Sequence, residues 1–146
     1  AAKIMDLSQF LIEVLDIQFP ANNEARPVKV TYHDPCHLAN IQKVTEQPRE
    51  LLKRIPGVEL IEMSDTNYCC GGSGTYSITH YQTSMKILDK KMTMIKLTGA
   101  ELIATCCPSC IMQLNYGLRQ HDMKGRVFHP IQLAREAGRK KARNSA

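Results

Sequence analysis

The sequence has no apolar run that approaches the ~20 residues needed by a membrane-spanning helix. Its first residues also lack the features of a secretory signal peptide. We therefore expect a protein without a membrane span that resides in the cytoplasm. In that reducing compartment, clustered cysteines serve metal or redox chemistry more often than disulfide bonds.

A basic stripe interleaved with aromatic residues is also missing, so nucleic acid is not an expected partner. The formal net charge is +5, but the last nine residues, 138–146, hold four basic side chains and no acidic one. Without this basic tail the net charge is +1. We expect residues 1–146 to form a single domain and the tail to be its frayed, solvated end.

Five of the six cysteines follow a regular pattern. Thirty-two residues separate Cys36 from Cys69 and Cys70, and thirty-six more precede Cys107, which Cys110 follows at CxxC spacing. A domain of this length buries about 70% of the surface of its unfolded chain and needs no disulfide bonds. The spacing indicates one soft-metal site whose ligands Cys36, Cys69, Cys70, Cys107 and Cys110 come from three loops.

Strands and helices are predicted to alternate along the chain. Alternating apolar residues predict strands, while helical periodicity, prolines and glycines predict helices and their ends. The predicted strands are 28–32, 58–63, 101–105 and 126–128, and the predicted helices are 7–17, 37–44, 48–55, 77–97, one around 111–118 and one that Pro130 opens. This order favours an α/β fold, a Rossmann-like layered domain with a small, mostly parallel sheet of about four strands and helices on both faces.

The five cysteines all follow a predicted strand, so they meet at the carboxyl edge of the sheet, where open parallel sheets form their binding crevices. Thiolates favour iron-sulfur clusters, zinc and copper(I). Cys36, Cys70 and Cys110 are each predicted to lie at or just before a helix start, where free amides and the helix dipole lower a thiol pKa.

A glycine-rich segment follows the cysteine pair. We expect Gly71 and Gly72 to bind the cofactor, because without side chains their backbone amides can approach cluster sulfurs closely. A phosphate-binding loop is not expected, since the lysine of a P-loop is absent.

Two other kinds of site use the same thiols. Cys107 and Cys110 follow a strand and open a helix, as in thioredoxin-like motifs, which predicts dithiol exchange that would survive Cys36→Ser. A structural zinc site needs four ligands and leaves one of the five thiols spare. We weigh both as alternatives to a redox cluster.

Further residues beside the pattern have two interpretations each. Cys106 is a small buried residue at a strand end or a substitute ligand. His129 is a cluster ligand or the entry to the last helix, and His33 and His37 are hydrogen-bond donors to the site or ordinary loop residues. Asp34 is expected to shape the turn that presents Cys36.

The cysteine pattern resembles the cysteine-rich CCG domain of heterodisulfide reductases and related respiratory subunits. The stretch from Cys69 to His80 and the closing His129-Pro130-Ile131 are especially similar to the iron-sulfur subunit of glycolate oxidase, with lactate-utilisation subunits as close relatives. The resemblance covers about residues 5–137. Such subunits also carry a ferredoxin-like segment and usually two CCG repeats, so we expect this chain to be the carboxyl-terminal fragment of a longer iron-sulfur subunit.

The resemblance implies an electron-transfer subunit of an oxidoreductase rather than the flavin-containing catalytic subunit. A flavin partner would oxidise glycolate to glyoxylate, and other iron-sulfur segments of the complex would help to pass electrons toward quinone. It also implies an iron-sulfur cluster of the 4Fe-4S type, cubane or non-cubane, with zinc as the alternative. The complex would link the cytoplasmic domain to the periphery of the membrane.

Overall fold

Four parallel strands form the centre of the structure, a computed structural model that describes residues 4–21 and 26–144. Their order across the sheet is β2-β1-β3-β4, and each neighbouring pair is parallel. The strands are β1 (Val28–Tyr32), β2 (Val58–Leu60), β3 (Leu102–Ala104) and β4 (Arg126–Phe128). The predicted α/β class with a small parallel sheet is confirmed.

Helices connect the strands, and two of them have π-helical hydrogen bonding. They are α1 (Leu7–Gln9) with the π-helix Phe10–Val14, the π-helix His37–Gln42, α2 (Glu46–Arg54), α3 (Tyr76–Thr79), α4 (Tyr81–Thr98), α5 (Pro108–Gln120) and α6 (Pro130–Asn144). None of the helices in the described residues has the length and apolar character to cross a bilayer.

Local sequence explains several of these helix ends. The Asp6 carboxylate accepts a hydrogen bond from the Ser8 amide at 2.8 Å and so caps α1. Pro108 stands in the first turn of α5, where its missing amide hydrogen costs no hydrogen bond. Gly99 ends α4 at φ +63, a left-handed conformation that glycine adopts easily.

Two predicted helices differ from the structure. The predicted helix 77–97 is divided at His80, whose backbone leaves the helical region and whose ring stacks on Tyr76 with 4.7 Å between centroids. The predicted helix 7–17 ends at Val14, and Asp16 then turns the chain at φ +43. Helix α6 runs into the basic tail, whose side chains from residue 138 lie outside the described part of the chain.

Each face of the sheet has its own apolar core, because alternate strand residues point to opposite faces. The first core lies under α4 and α5 and contains Met63, Cys70, Leu88, Met92, Ile95, Ile103, Cys110, Leu114, Leu118 and Val127. The second lies under the π-helix Phe10–Val14, α2 and α6 and contains Leu11, Val30, Tyr32, Leu51, Leu52, Ile55, Ala104, Phe128 and Ala134. Cys70 and Cys110 therefore belong to the α4/α5 face.

The order in which the chain adds strands to the sheet switches sides at β1. The chain moves from β1 to β2 on one side and then returns to β3 on the other side. In parallel α/β sheets the loops diverge at such a switch point and leave a crevice at the carboxyl ends of the two strands. This fold therefore has a crevice where β1 and β3 end.

We expect Leu114→Ala to lower the free energy of unfolding by about 2–5 kcal/mol, because Leu114 is fully buried where α5 meets the sheet. Leu97→Ala is the matched control, since Leu97 is 81% exposed on α4. Urea unfolding followed by circular dichroism measures both variants. Equal losses would contradict this assignment of the core.

Candidate metal centre

All five patterned cysteines follow a strand at the carboxyl edge, and all are free thiols. Cys36 comes four residues after β1, Cys69 and Cys70 lie in the loop after β2, and Cys107 and Cys110 follow β3. The three loops thus flank the crevice between β1 and β3.

Two of these thiols form the inner part of the site together with a histidine. The Sγ atoms of Cys70 and Cys110 and a ring nitrogen of His33 lie within 4.8 Å of one another, and all three residues are buried. This group is the only one of its kind that the described residues contain. The structure therefore brings three donors close together.

Cys69 joins this inner group through its neighbour. A hydrogen bond with Cys70 and then burial raise the pKa of the Cys69 thiol well above its usual value. The pKa of Cys70 rises to about 12, first because of its hydrogen bond with Cys110, although Cys69 acts in the opposite direction. Adjacent thiols cannot all ionise together unless a cation compensates their charge. A bound metal provides that charge and displaces the protons.

Cys36 and Cys107 lie at the rim of the site. Cys36 is exposed, and Cys107 is partly buried against the α4/α5 core. Neither belongs to the inner group. Their roles as ligands remain predictions.

Helix starts adjoin two of the three cysteines for which they were predicted. Cys36 directly precedes the π-helix His37–Gln42, and Cys110 lies in the first turn of α5. The prediction for Cys70 is wrong, because Cys70 is in an irregular loop and α3 begins only at Tyr76. Of these three cysteines, Cys36 and Cys110 therefore lie at helix starts.

The glycines of this loop combine a polar contact with tight packing. The Gly71 amide donates to Cys69 Sγ at 3.3 Å. Hydrogen bonding by the Gly72 amide partly offsets the rise in the pKa of Cys70. A Cβ on Gly71 would meet the Ser84 carbonyl oxygen at 2.6 Å, and one on Gly72 would meet Gln113 Cβ at 2.8 Å. Any larger residue at these two positions would clash with α4 or α5, so the loop needs glycine there.

Contacts to both helices hold the loop in place. The Ser84 hydroxyl donates to the Gly71 carbonyl at 2.9 Å and accepts from Gln113 Nε2 at 3.2 Å. The Ser109 hydroxyl donates to the Gly72 carbonyl. These bonds connect the loop that carries Cys69 and Cys70 to the helix that carries Cys110.

Three buried polar side chains on the same face of the sheet lack partners. His33 is 1% exposed, and within the described part of the chain its ring nitrogens have no hydrogen bond of good geometry, although a weaker contact with the Thr66 backbone acts to raise the pKa of the ring. The hydroxyls of Thr31 and Thr105 are unpaired there as well. Burial and the charge of Lys91 lower the pKa of His33 to about 3, so the ring is neutral at pH 7.

Lys91 is a buried cation next to the site. It is fully buried on α4, and its Nζ donates to the carbonyls of Asp65 at 2.8 Å and Thr66 at 3.0 Å. Burial lowers its pKa to about 8, and the charges of Asp65 and Cys70 oppose that shift. Lys91 thus remains mostly protonated at pH 7 and places positive charge near the thiols.

The sequence did not predict a role for Lys91, and it left the role of His33 open. Lys91 stands three residues after Leu88 and four before Ile95, so helical periodicity alone puts it on the buried face. His33 stands two residues after Thr31, on the opposite strand face from Val30 and Tyr32. A polar residue at a buried position was the signal in both cases.

A buried ion pair anchors the chain just before Cys36. Arg49 binds Asp34 through both Nη atoms, at 2.9 and 2.7 Å, and its Nε donates to Glu62 at 2.9 Å. Its guanidinium lies 5.1 Å from the centroid of the Tyr32 ring. Burial alone would raise the pKa of Asp34, but Arg49 keeps it below the usual value. Asp34 therefore anchors this loop through an ion pair with α2, and its role in shaping the turn itself stays a prediction.

The remaining candidates lie outside the inner group. Cys106 packs on the α2/α6 side, where its Sγ is 3.4 Å from the Tyr32 hydroxyl and 3.5 Å from the Ser8 hydroxyl. His129 Nδ1 accepts a hydrogen bond from the Ile131 amide at 3.3 Å at the start of α6. His37 is exposed. The structure favours the structural interpretation of Cys106 and His129.

These observations fit a soft metal or an iron-sulfur cluster. The donors are soft thiols, the nearby buried cation suits an anionic group, and unpartnered polar atoms lie on the same face of the sheet. His33, Cys70 and Cys110 already lie close together, and Cys69 is next to Cys70 in the chain.

Comparison with known proteins agrees with this chemistry. Residues 30–115, more than half of the chain, match the model of a family described as CCG, cysteine-rich domain. This match includes all five patterned cysteines and His33.

Curated relatives are longer than this chain. It is 41% identical over 137 residues to the probable glycolate oxidase iron-sulfur subunit of Bacillus subtilis, covering 92% of this chain and 31% of that protein. It is 30% identical over 141 residues to lactate utilization protein A of an Exiguobacterium species, covering 93% of this chain and 55% of that protein. A fumarate reductase (CoM/CoB) subunit from Methanothermobacter marburgensis is 33% identical over 122 residues, which cover 82% of this chain and 24% of that protein.

We expect Arg49→Met to lower the free energy of unfolding by about 3–5 kcal/mol, because it leaves the Asp34 carboxylate buried without its partner. Arg49→Lys should lower the free energy of unfolding by less, because lysine keeps the positive charge but cannot make the bidentate contact with Asp34. Arg54→Met on the same helix is the control and should cost less than about 1 kcal/mol, because Arg54 pairs with more exposed carboxylates. Urea unfolding measures all three, and equal losses for Arg49→Met and Arg54→Met would contradict this role.

Proposed function

The chain belongs to the cysteine-rich CCG family, and we propose that it is the iron-sulfur electron-transfer domain of a 2-hydroxy-acid oxidase complex. One observation carries this proposal: buried Cys70 and Cys110 converge beside Cys69, under a buried lysine, at the carboxyl edge of the sheet. Soft donors together with a compensating cation suit an anionic metal-sulfur group.

In this proposal Cys36, Cys69, Cys70, Cys107 and Cys110 hold a cluster of the 4Fe-4S type. Such a cluster, when bound, accepts and donates single electrons. The surrounding residues would tune the reduction potential of this cluster. Lys91 adds positive charge, and the amides of Gly71 and Gly72 donate to cysteine sulfurs. The α4/α5 core excludes water from Cys70 and Cys110. No acid or base catalyst is required of this domain.

The names of the relatives mention glycolate oxidase and lactate utilization, and they support a 2-hydroxy acid as the substrate of the complex. We propose that a flavin subunit oxidises a 2-hydroxy acid, glycolate in the first instance, to the 2-oxo acid and thereby takes up two electrons. This domain then passes these electrons on one at a time. Together with other iron-sulfur segments of the complex, it carries them toward quinone. The domain works on the cytoplasmic side, at the membrane periphery.

The first test is metal content after purification and cluster reconstitution without oxygen. We expect the chain to hold iron and acid-labile sulfide with a visible charge-transfer band, and Cys69→Ser combined with Cys70→Ser to lose all three. Cys106→Ser is the matched control, because Cys106 lies on the other side of the sheet and should leave the cluster intact. Iron, sulfide and zinc analysis together with the absorption spectrum measure the result.

The other outcomes are informative. Zinc without sulfide in the wild-type chain would replace the electron-transfer proposal with a structural role. A chain that binds no metal, with Cys107 and Cys110 active as a dithiol after Cys36→Ser, would replace it with thiol exchange. Equal loss in the Cys106→Ser variant would mean that the metal is not held where we propose.

We expect Lys91→Met to make the reduction potential of the bound cluster more negative. Reduction adds negative charge, and Lys91 is the buried cation that offsets it. A tenfold change in the reduction equilibrium corresponds to about 59 mV for one electron, and we expect a shift of at least this size. Spectroscopic redox titration of the reconstituted protein measures it.

Lys96→Met is the control, since Lys96 is exposed on the same helix and loses the same charge from the chain. Urea unfolding of both variants separates an electrostatic effect from a loss of structure. Equal potentials for Lys91→Met and the wild type would show that Lys91 does not tune the cluster.

A further inference from the structure

Thr105 lies at the carboxyl end of β3, on the side of the sheet that the α4/α5 layer covers. Its amide donates to the Phe128 carbonyl at 3.0 Å, so the pairing of β3 with β4 continues one residue beyond the strand. Ile103, two residues earlier, belongs to the α4/α5 core. Because alternate strand residues share a face, the side chain of Thr105 points to this face too, which also holds Cys70 and Cys110.

His33 shows how close Thr105 is to the buried thiols. The His33 amide donates to the Ala104 carbonyl at 2.9 Å, which makes His33 and Thr105 neighbours across β1 and β3. A ring nitrogen of His33 lies within 4.8 Å of the Sγ atoms of Cys70 and Cys110. Neighbouring strands are about 4.8 Å apart. Thr105 therefore stands one strand away from a side chain that adjoins both thiols.

The hydroxyl of Thr105 is buried without a hydrogen-bond partner. The residue is 0% exposed, and its Oγ1 has no partner within residues 4–21 and 26–144, the cysteine sulfurs included. Burial of an unpaired hydroxyl is costly, and such a group in a native structure calls for an explanation. An acceptor bound in the crevice between β1 and β3 would satisfy this hydroxyl.

Thr31 provides a comparison within the same structure. It is also 0% exposed, and its hydroxyl likewise lacks a partner in the part of the chain that the structure describes. Thr31 pairs with Ile103, so it lies two residues deeper in the sheet than the pair of His33 and Thr105. Two residues along a strand correspond to roughly 6.6 Å. The two threonines thus share their face and their burial, but only Thr105 lies at the edge where the cysteines meet.

We propose that the hydroxyl of Thr105 donates a hydrogen bond to a sulfur atom of the bound cluster and thereby raises its reduction potential. This inference rests on the proposed function, because the acceptor belongs to that cluster. Hydrogen bonds to the sulfurs are among the factors that set the potential of an iron-sulfur cluster. Reduction adds negative charge, so the donated hydrogen bond stabilises the reduced form more than the oxidised form. Thr105 is not a ligand in this arrangement, and the proposed cysteine ligands are unchanged.

The first experiment compares the reduction potentials of the full chain and three variants after reconstitution without oxygen. Thr105→Val replaces only the hydroxyl by a methyl group and should make the potential more negative by about 59 mV, a tenfold change in a one-electron equilibrium. Thr105→Ser keeps a hydroxyl and should restore most of the wild-type potential. Thr31→Val is the matched control and should leave the potential unchanged. Spectroscopic redox titration measures all four proteins.

The second experiment detects the proton of the hydrogen bond itself. After exchange into D₂O, pulsed electron paramagnetic resonance of the reduced protein identifies exchangeable protons that couple to the cluster. We expect Thr105→Val to lose one coupling that the wild type, Thr105→Ser and Thr31→Val retain. Urea unfolding of the cluster-free proteins checks the fold, and neither valine variant should be less stable than the wild type, because each removes an unpaired buried hydroxyl.

The outcomes distinguish this inference from the proposed function. An intact cluster with the same potential and the same exchangeable couplings in Thr105→Val and the wild type would overturn the role of Thr105 and leave the electron-transfer function standing. Equal shifts of the potential in Thr105→Val and Thr31→Val would also overturn it, because they would reflect the polarity of the whole face. A wild-type chain without iron and sulfide would overturn both, since the acceptor is a cluster sulfur.

Discussion

The pairing of β1 with β3 is the constraint on which the site depends. Val30 pairs with Leu102 and Tyr32 with Ala104, and the amide of His33 continues this register by binding the Ala104 carbonyl. A shift by one residue would move every side chain of β1 to the other face. His33 would then leave the crevice, and Tyr32 would leave its core and its contact with Arg49. The apolar cores on both faces therefore fix the metal centre as well as the fold.

Charge is the second constraint, because thiolates in contact repel each other. The hydrogen bond of Cys69 with Cys70 and that of Cys70 with Cys110, together with burial, raise the pKa of Cys69 and of Cys70, so these two thiols are protonated at pH 7 unless a cation compensates their charge. Lys91 offers positive charge from inside the protein, and the carbonyls of Asp65 and Thr66 hold its ammonium in place. The same two residues precede Cys69 in the loop. Lys91 therefore both holds the segment that carries the cysteine pair and favours negative charge on it.

The sequence was sufficient to predict the class of fold and the edge at which the cysteines meet. Spacing and alternation place Cys36, Cys69 and Cys107 after successive strands, and parallel strands have only one carboxyl edge. Two features could not be predicted with the same arguments. Helical spacing places Lys91 on the buried face of α4, but only the structure shows that its ammonium stays buried against the loop of the cysteine pair instead of reaching solvent. The apolar periodicity likewise carries no signal for the break at His80, where the backbone leaves the helical region.

The site has a rigid part and an open part, and this division follows from what holds each cysteine. Cys70 and Cys110 belong to the α4/α5 core, and the bonds of Ser84 and Ser109 to the glycine loop tie their segments together. Cys36 is exposed, but the loop before it is anchored by the Asp34–Arg49 ion pair on the opposite helix layer. The inner donors are thus prearranged, whereas Cys36 approaches from the rim on a loop with a fixed base. The sheet and the α4/α5 layer hold Cys70 and Cys110 in place, so these residues would hold the inner side of the proposed cluster, and Cys36 would hold its outer side.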